Sequence, residues 1–312
     1  MDLVKFLTPV NLDDEQKKFF LDPSYHPYFN YNHPQPEINL WLERQPHYSP
    51  LVSAVLSQDH SRIVAASAKI FCTSVDQRTL QNACRYLSRP PLSPLGGNLG
   101  RLKAGFESAF RLFNLPYHVV ITHESGFNVH PMFSQKIVKV SRHLNFEYFS
   151  EDSQVKHEIV HILRFENGVV NNVPKSPRHL PTEEGLATFI ADYKADYGHS
   201  ALFQHAAEYA VTPVALKGSL RDMVDYLTSL GFSRDLAFAR SVRHKYGFAD
   251  TSRGGDILKP SMYFYHEQKI KKLSSSEILR LFVGKISLAE LPLYPKYTGA
   301  FNPETISRFF NL

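Results

Sequence analysis

Apolar residues recur three and four positions apart along Leu51–Leu56, Ile63–Ile70, Leu80–Leu87 and Leu102–Phe113, which predicts helices that each bury one face. Extended stretches rich in proline and aromatic residues, such as Pro23–Pro36, and a Pro/Gly loop over Arg89–Gly100 punctuate them. The period then shortens to two. Tyr117–Thr122 (YHVVIT) and Lys136–Ser141 (KIVKVS) are short, β-branched and roughly alternating, so they are expected to be strands of one small sheet. Ser150 suits an N-cap, Glu151 and Asp152 stand where the helix dipole favours acids, and Asn167-Gly168 offers a stop, which predicts a helix over 151–166. A second helix is expected from Pro181-Thr182, with Glu183 and Glu184 in its first turn, to about Tyr197. From Ala201 onward the pattern is mostly helical, broken by Gly231, Asp250–Asp256, Pro292 and Pro295. No repeat or sustained heptad appears, and the expected fold is α+β and predominantly helical. We read one domain over 1–312, in which residues 1–115 form a helical N-terminal region, 116–198 a core and 199–312 a helical C-terminal region.

Composition narrows the class. Of 312 residues, 43% are hydrophobic and 21% charged, which excludes a disordered chain. No apolar run approaches the ~18 residues of a membrane helix, and Met1–Val10 lacks the layout of a signal peptide, so a soluble, unexported, cytoplasmic protein is expected. Cys72 and Cys84 suit neither a disulfide framework nor a metal-ligand spacing, and read as two half-buried thiols in a reducing compartment. The 35 basic residues against 30 acidic ones give +5, which suits an acidic partner. The densest basic stretch, Lys269–Lys272, has the pattern of a solvated helix face, so neither nucleic acid nor membrane is an expected partner.

The chemistry concentrates in His157-Glu158-Ile159-Val160-His161. Residues four apart on a helix differ by about 40° in azimuth, so both imidazoles can converge on one ion in the H-E-x-x-H zinc pattern. Glu158 cannot comfortably ligate the same ion but can act as general base on a water beside it. With 15 histidines in the chain, about 0.04 chance matches are expected. Val155, Ile159 and Ile162 form the stripe of this helix that packs inward, and His157 points about 200° away from Val155.

A zinc hydrolase needs a third protein ligand and one open position. Thr182-Glu183-Glu184-Gly185-Leu186-Ala187 supplies it: Glu184 matches the Glu-x-x-Ala form found in gluzincins, and Glu183 competes from the same turn, about 100° away. Gly185, without a side chain, would let two helices approach closely beside the ligand. Thr188 and Asp192, one and two turns on, are candidates to orient the histidines.

The segments HEIVHILRFENG and TEEGLATF resemble the zinc carboxypeptidases known in bacteria by a Q/E-E-G-L-A motif and in animals as the microtubule-associated tyrosine carboxypeptidases. TPVNLDDEQKKFF, PSYHPYFNY, DTSRGGDILKPSMYFYHEQ and LFVGKISLAELP resemble further signatures of that family, in the same order. The likeness implies a zincin-like core with a small sheet edging the cleft, Zn2+ as cofactor, and removal of a C-terminal Tyr or Glu from an acidic tail such as that of tubulin. It offers Arg253, Lys259 and Tyr263 for carboxylate binding or oxyanion stabilisation; Arg142, before the zinc helix, is another candidate, and His130 and His266 could face the site. One departure stands out: the family typically places three residues between Glu and the second His, whereas only Ile159 and Val160 intervene here, so no helical bulge is needed. An endopeptidase or aminopeptidase using the same ligands, or a tail-binding module with structural zinc, are the alternative readings.

Overall fold

A computed structural model of the chain describes residues 3–88, 97–124, 128–144, 146, 150–193 and 198–312. Most of the loop expected at Arg89–Gly100, and the stretch 194–197 at the expected end of the second helix, lie outside them. The fold is predominantly helical with one three-stranded sheet, as the α+β reading requires. By packing, the chain divides into two units, each built from two separate stretches: Met1–Leu87 with His205–Met262, and Ser88–Gln204 with Tyr263–Leu312.

The first unit contains three of the four helices expected from the early apolar spacing, bounded as Ser49–Leu56, His60–Ile70 and Gln77–Leu87. It also contains Leu3–Leu7, Leu12–Leu21 and Gln35–Arg44, of which only the last overlaps the stretch Pro23–Pro36 expected to be extended. Its later half adds Thr212–Lys217, Leu220–Ser229 and Arg234–His244, followed by the expected turns near Asp250–Asp256. Those turns close around a buried ammonium: Lys245 Nζ donates to the carbonyls of Ala215, Gly218, Arg253 and Gly255 at 2.9–3.1 Å. Burial pulls the Lys245 pKa down to about 8 against the opposing fields of Asp256, Asp222 and Asp250, so the group is largely charged at neutral pH. Glu208, equally buried, is clamped by Arg240 at 2.9 Å and Arg243 at 2.5 Å. Cys72 lies in a turn at φ +48° and Cys84 is exposed on its helix, with no disulfide between them; the two thiols are therefore not alike, and only Cys72 is half-buried.

The second unit holds the expected chemistry. Its sheet has the order β1 (His118–Thr122), β3 (Ile137–Ser141), β2 (Val129–Met132). β1 and β3 run parallel, with Val119 opposite Val138 and Ile121 opposite Val140, and β2 adds antiparallel on the other side. β1 and β3 form where the β-branched runs place them, but burial does not alternate along either: every β3 residue except Lys139 is buried and no β1 residue is. β2 (VHPM) is four residues long with Pro131 inside it, tolerated because β2 is an edge strand. Central β3 buries Val138 and Val140, which join Phe106 and Phe110 of helix Leu99–Leu112, Ile159 and Leu163, Leu186 and Ile190, and the C-terminal Ile306 and Phe310 in one core. Full burial of each such side chain contributes about 1.5–3 kcal/mol.

The motif helix spans Glu151–Val170. Ser150 caps it as expected, its Oγ accepting from Ser153 N at 3.0 Å, but Asn167-Gly168 does not stop it. Asn167 is buried and satisfied by distant partners, donating to Phe282 O at 2.6 Å and accepting from Ala300 N at 2.7 Å. A Cβ on Gly168 would meet Gly284 Cα at 3.5 Å, an ordinary contact, so this glycine sits inside the helix as a packed position and not as its end. The next helix, here the acid helix, spans His179–Tyr193 and starts earlier than Pro181-Thr182, which puts Glu183 and Glu184 in its second turn. The two helices pack extensively on each other. Among the described residues no helix is long and apolar enough to cross a membrane.

Candidate metal centre

Helical geometry places His157 and His161 one turn apart on one face, with ring centroids 5.0 Å apart and planes at 67°. The acid helix brings Glu184 to both: its Oε2 lies 3.6 Å from His157 Nε2 and 3.8 Å from His161 Nε2. Among the described residues these three form the one His/Cys/Asp/Glu group with donor atoms close enough to share an ion, all within 4.8 Å of one another. Tetrahedral zinc with bonds of about 2.0–2.1 Å separates its ligand atoms by about 3.4 Å. Two imidazole nitrogens and one carboxylate oxygen are also a donor set that zinc prefers. The residues present therefore fit a zinc ion with one position left for solvent. Each of the three side chains keeps between 12% and 19% of its surface exposed, so the centre is reachable from water.

Glu158 is almost fully buried, and Gln154, one turn earlier, donates to its Oε1 at 2.8 Å. Burial raises the Glu158 pKa, the nearby histidines oppose this, and Glu184 adds to it; the net direction is upward, which strengthens a carboxylate as a base.

Glu183, the competing ligand, turns away from the trio. Its Oε1 accepts from His161 Nδ1 at 2.9 Å and from Lys285 Nζ at 2.7 Å. Because Nδ1–H is given to a carboxylate, the lone pair of His161 sits on Nε2, the atom facing Glu184. Burial alone would lower the His161 pKa, but the Glu184 and Glu183 carboxylates outweigh it and raise it. For Glu183, burial works the other way and is overcome by Lys285 and His161, which hold its carboxyl well below the usual range. His179 Nε2 lies 3.3 Å from Glu183 Oε2. Its Nδ1, 2.7 Å from Ser176 O, carries the ring proton, and burial pulls the His179 pKa to about 4, so at neutral pH that contact is not an ion pair.

The residue that orients a histidine is thus neither Thr188 nor Asp192 but Glu183. Among the described residues, Thr188 Oγ1 and both Asp192 carboxylate oxygens are buried without a hydrogen-bond partner. Burial and the neighbouring Glu267 carboxylate push the Asp192 pKa well up. Gly185 does what the sequence suggested: a Cβ there would stand 2.6 Å from His266 Cβ and 2.8 Å from His266 C, so the acid helix and the helix Lys259–Ile270 touch backbone to backbone beside Glu184. His266 is buried at this contact, whereas His130 is exposed on β2.

Of the proposed carboxylate anchors, Arg142 is exposed just past β3 and Tyr263 is half-buried in the helix Lys259–Ile270, both in the unit that holds the trio; Arg253 and Lys259 belong to the other unit. Sequence reasoning missed Lys285 and Arg164. Arg164, on the motif helix and fully buried, donates to the carbonyls of Leu281, Gly284 and Ile286 at 2.9, 3.1 and 2.6 Å. A lone Lys inside the apolar run Leu281–Ile286 was the available signal, since a cation in such company needs a buried partner. Compared with known proteins, the chain matches no family model and has no significant match among curated proteins.

Proposed function

We propose that this chain is a zinc metallopeptidase, with His157, His161 and Glu184 as metal ligands and Glu158 as general base. The observation that carries the reading is the convergence of two imidazole Nε2 atoms and one carboxylate, from two helices, with a buried Glu one residue past the first histidine. Zinc held there would supply Lewis acidity and an acidified water. Gln154 engages Glu158 Oε1, so Oε2 is the oxygen that takes a proton and later gives it to the leaving amine. Glu183 keeps His161 in the tautomer whose Nε2 can ligate. In its finer form, resting on the motif resemblance, the reading is a cytoplasmic carboxypeptidase that removes Tyr or Glu from an acidic tail of the tubulin kind, with Arg142 or Tyr263 receiving the terminal carboxylate.

Metal analysis of the purified protein and mass spectrometry of a Glu-rich peptide ending in Tyr or Glu test this together. One zinc per chain, lost in Glu184→Ala, and release of a single C-terminal residue, abolished by amidating that terminus, are expected. Glu158→Gln should keep the metal and lose about 10²-fold or more in turnover. Internal cleavage would make the enzyme an endopeptidase. An unchanged biological effect in Glu158→Gln would make it a binding module, and absence of stoichiometric zinc would end the reading.

A further inference from the structure

We propose that Lys285 is a positioning residue of this centre: its ammonium holds Glu183 on His161 and thereby leaves Glu184 as the carboxylate available to the ion. The proposal rests on the metal-site reading above and adds to it what selects between two adjacent, chemically identical acids.

Both glutamates reach His161, Glu183 at Nδ1 and Glu184 at Nε2. Nothing in their chemistry makes one an orienting group and the other a ligand. Their surroundings do. Glu183 is 1% exposed, so no bulk water solvates its charge, and a buried carboxylate is stable only when cations and donors meet it. His161 and Lys285 share Oε1. His179 faces Oε2 with a nitrogen whose proton is committed elsewhere. Among the described residues, Lys285 is therefore the one side chain in direct contact that brings a permanent positive charge. With the ammonium in place the carboxylate is neutralised where it stands; without it, the strongest attraction left to Glu183 would be a divalent ion on the other side of the ring.

Lys285 is itself well held. Its ammonium lies 4.4 Å from the centroid of the Phe133 ring. Its carbonyl accepts from Ser176 N at 3.0 Å, and Arg164 grips the carbonyls of both neighbours, Gly284 and Ile286. A flexible surface lysine could not choose between two oxygens one residue apart on a helix. One anchored on both sides of its own peptide unit can.

The test is the zinc affinity of the full chain at neutral pH, by competition with a chromophoric chelator, in wild type, Lys285→Met, Lys285→Arg, Glu183→Gln and Lys285→Met/Glu183→Gln. Loss of an outer partner of a ligating histidine typically weakens metal binding 10–100-fold. Lys285→Met should fall in that range, Lys285→Arg should recover most of it, and Lys285→Met should cost little more once Glu183→Gln is present. Should Lys285→Met not fold, Lys285→Gln carries the same expectation. A merely structural lysine would lower thermal stability equally with and without zinc and leave the affinity unchanged. Wild-type affinity in Lys285→Met, or an equal loss whether or not Glu183 is intact, would overturn the proposal while the ligand set stood. Failure of wild type to bind one zinc would overturn both, and Glu184→Ala identifies that case.

Discussion

Gly185→Ala adds one methyl group at the closest approach of two helices in the second unit. The added carbon would meet His266 Cβ at 2.6 Å, its carbonyl carbon at 2.8 Å and its oxygen at 3.0 Å. Ordinary contact begins near 3.4 Å, so the acid helix and the His266 backbone must separate by about 0.8 Å, and no rotamer change relieves it. Overpacking of this kind costs about 1–3 kcal/mol, while replacing a mid-helix glycine by alanine returns about 1 kcal/mol of helix propensity. A net loss of up to about 2 kcal/mol is expected, or a Tm lower by up to about 8 °C for a unit of this size. The more telling readout is the ion. Glu184 precedes Gly185, and metal–ligand distances tolerate only about ±0.2 Å, so zinc affinity should drop by more than the stability change alone explains. Urea denaturation of metal-stripped protein gives the first quantity and chelator competition the second. Gly105→Ala is the control: it gains the same helix propensity, the added carbon meets only the Val155 side chain, its Cγ2 methyl group at 3.0 Å, and zinc affinity should stay at the wild-type value. A Gly185→Ala protein that gains stability and binds zinc as wild type does would refute the reasoning.

Asp192→Asn should stabilise the protein at pH 7. Its carboxyl is raised well above 3.8 by burial and by Glu267, so between those values the folded state binds more protons than the unfolded chain and stability falls as pH rises; the gain in Tm should shrink towards pH 4. Glu208 behaves in the opposite sense, because Arg243 and Arg240 outweigh burial and hold its pKa well below 4.5. Its contribution is present above about pH 4.5 and lost as pH falls through the folded value, so Glu208→Gln should cost about 3 kcal/mol at pH 7 and flatten the acid limb of a stability–pH curve. Lys245→Met strips four carbonyls of their donor; a loss of at least about 3 kcal/mol in urea titration is expected, and a change under about 1 kcal/mol would mean that water replaces the ammonium.

The motif helix and the two longer strands were legible because one residue type per position suffices there: an N-cap Ser, a helical stripe, an alternating β-branched run. The same locality explains the misses. Asn167-Gly168 has the composition of a helix stop, yet its groups meet Phe282, Ala300 and Gly284, more than 100 positions away, and tertiary partners override a local preference. β2 carries a proline and too few residues to show a period. At the centre, the convergence of His157 and His161 follows from spacing, because i and i+4 on a helix face one way, whereas Glu184 is picked out only by the Glu-x-x-Ala form, with Glu183 as its competitor. The orienting role of Glu183 does not follow, since it depends on which of two adjacent acids meets Lys285, and no property of the Glu-Glu pair itself encodes that. Asp192 was proposed from its helical offset alone, and offset specifies a face of the helix without specifying what lies opposite.

Arg164 lies only three residues past His161, yet the carbonyls it grips are 117 to 122 positions further along the chain. Translation at about 5–20 residues per second separates the two by roughly 6–24 s. During that interval the Arg164 guanidinium lacks the three carbonyls it grips in the folded chain, and Glu183 lacks the Lys285 ammonium. If the centre holds zinc as proposed, ion capture in the mature geometry would be a late event in biogenesis, completed when the segment around Gly284 docks, and a ribosome stalled before that segment would release an HExxH helix without the scaffold that aims it.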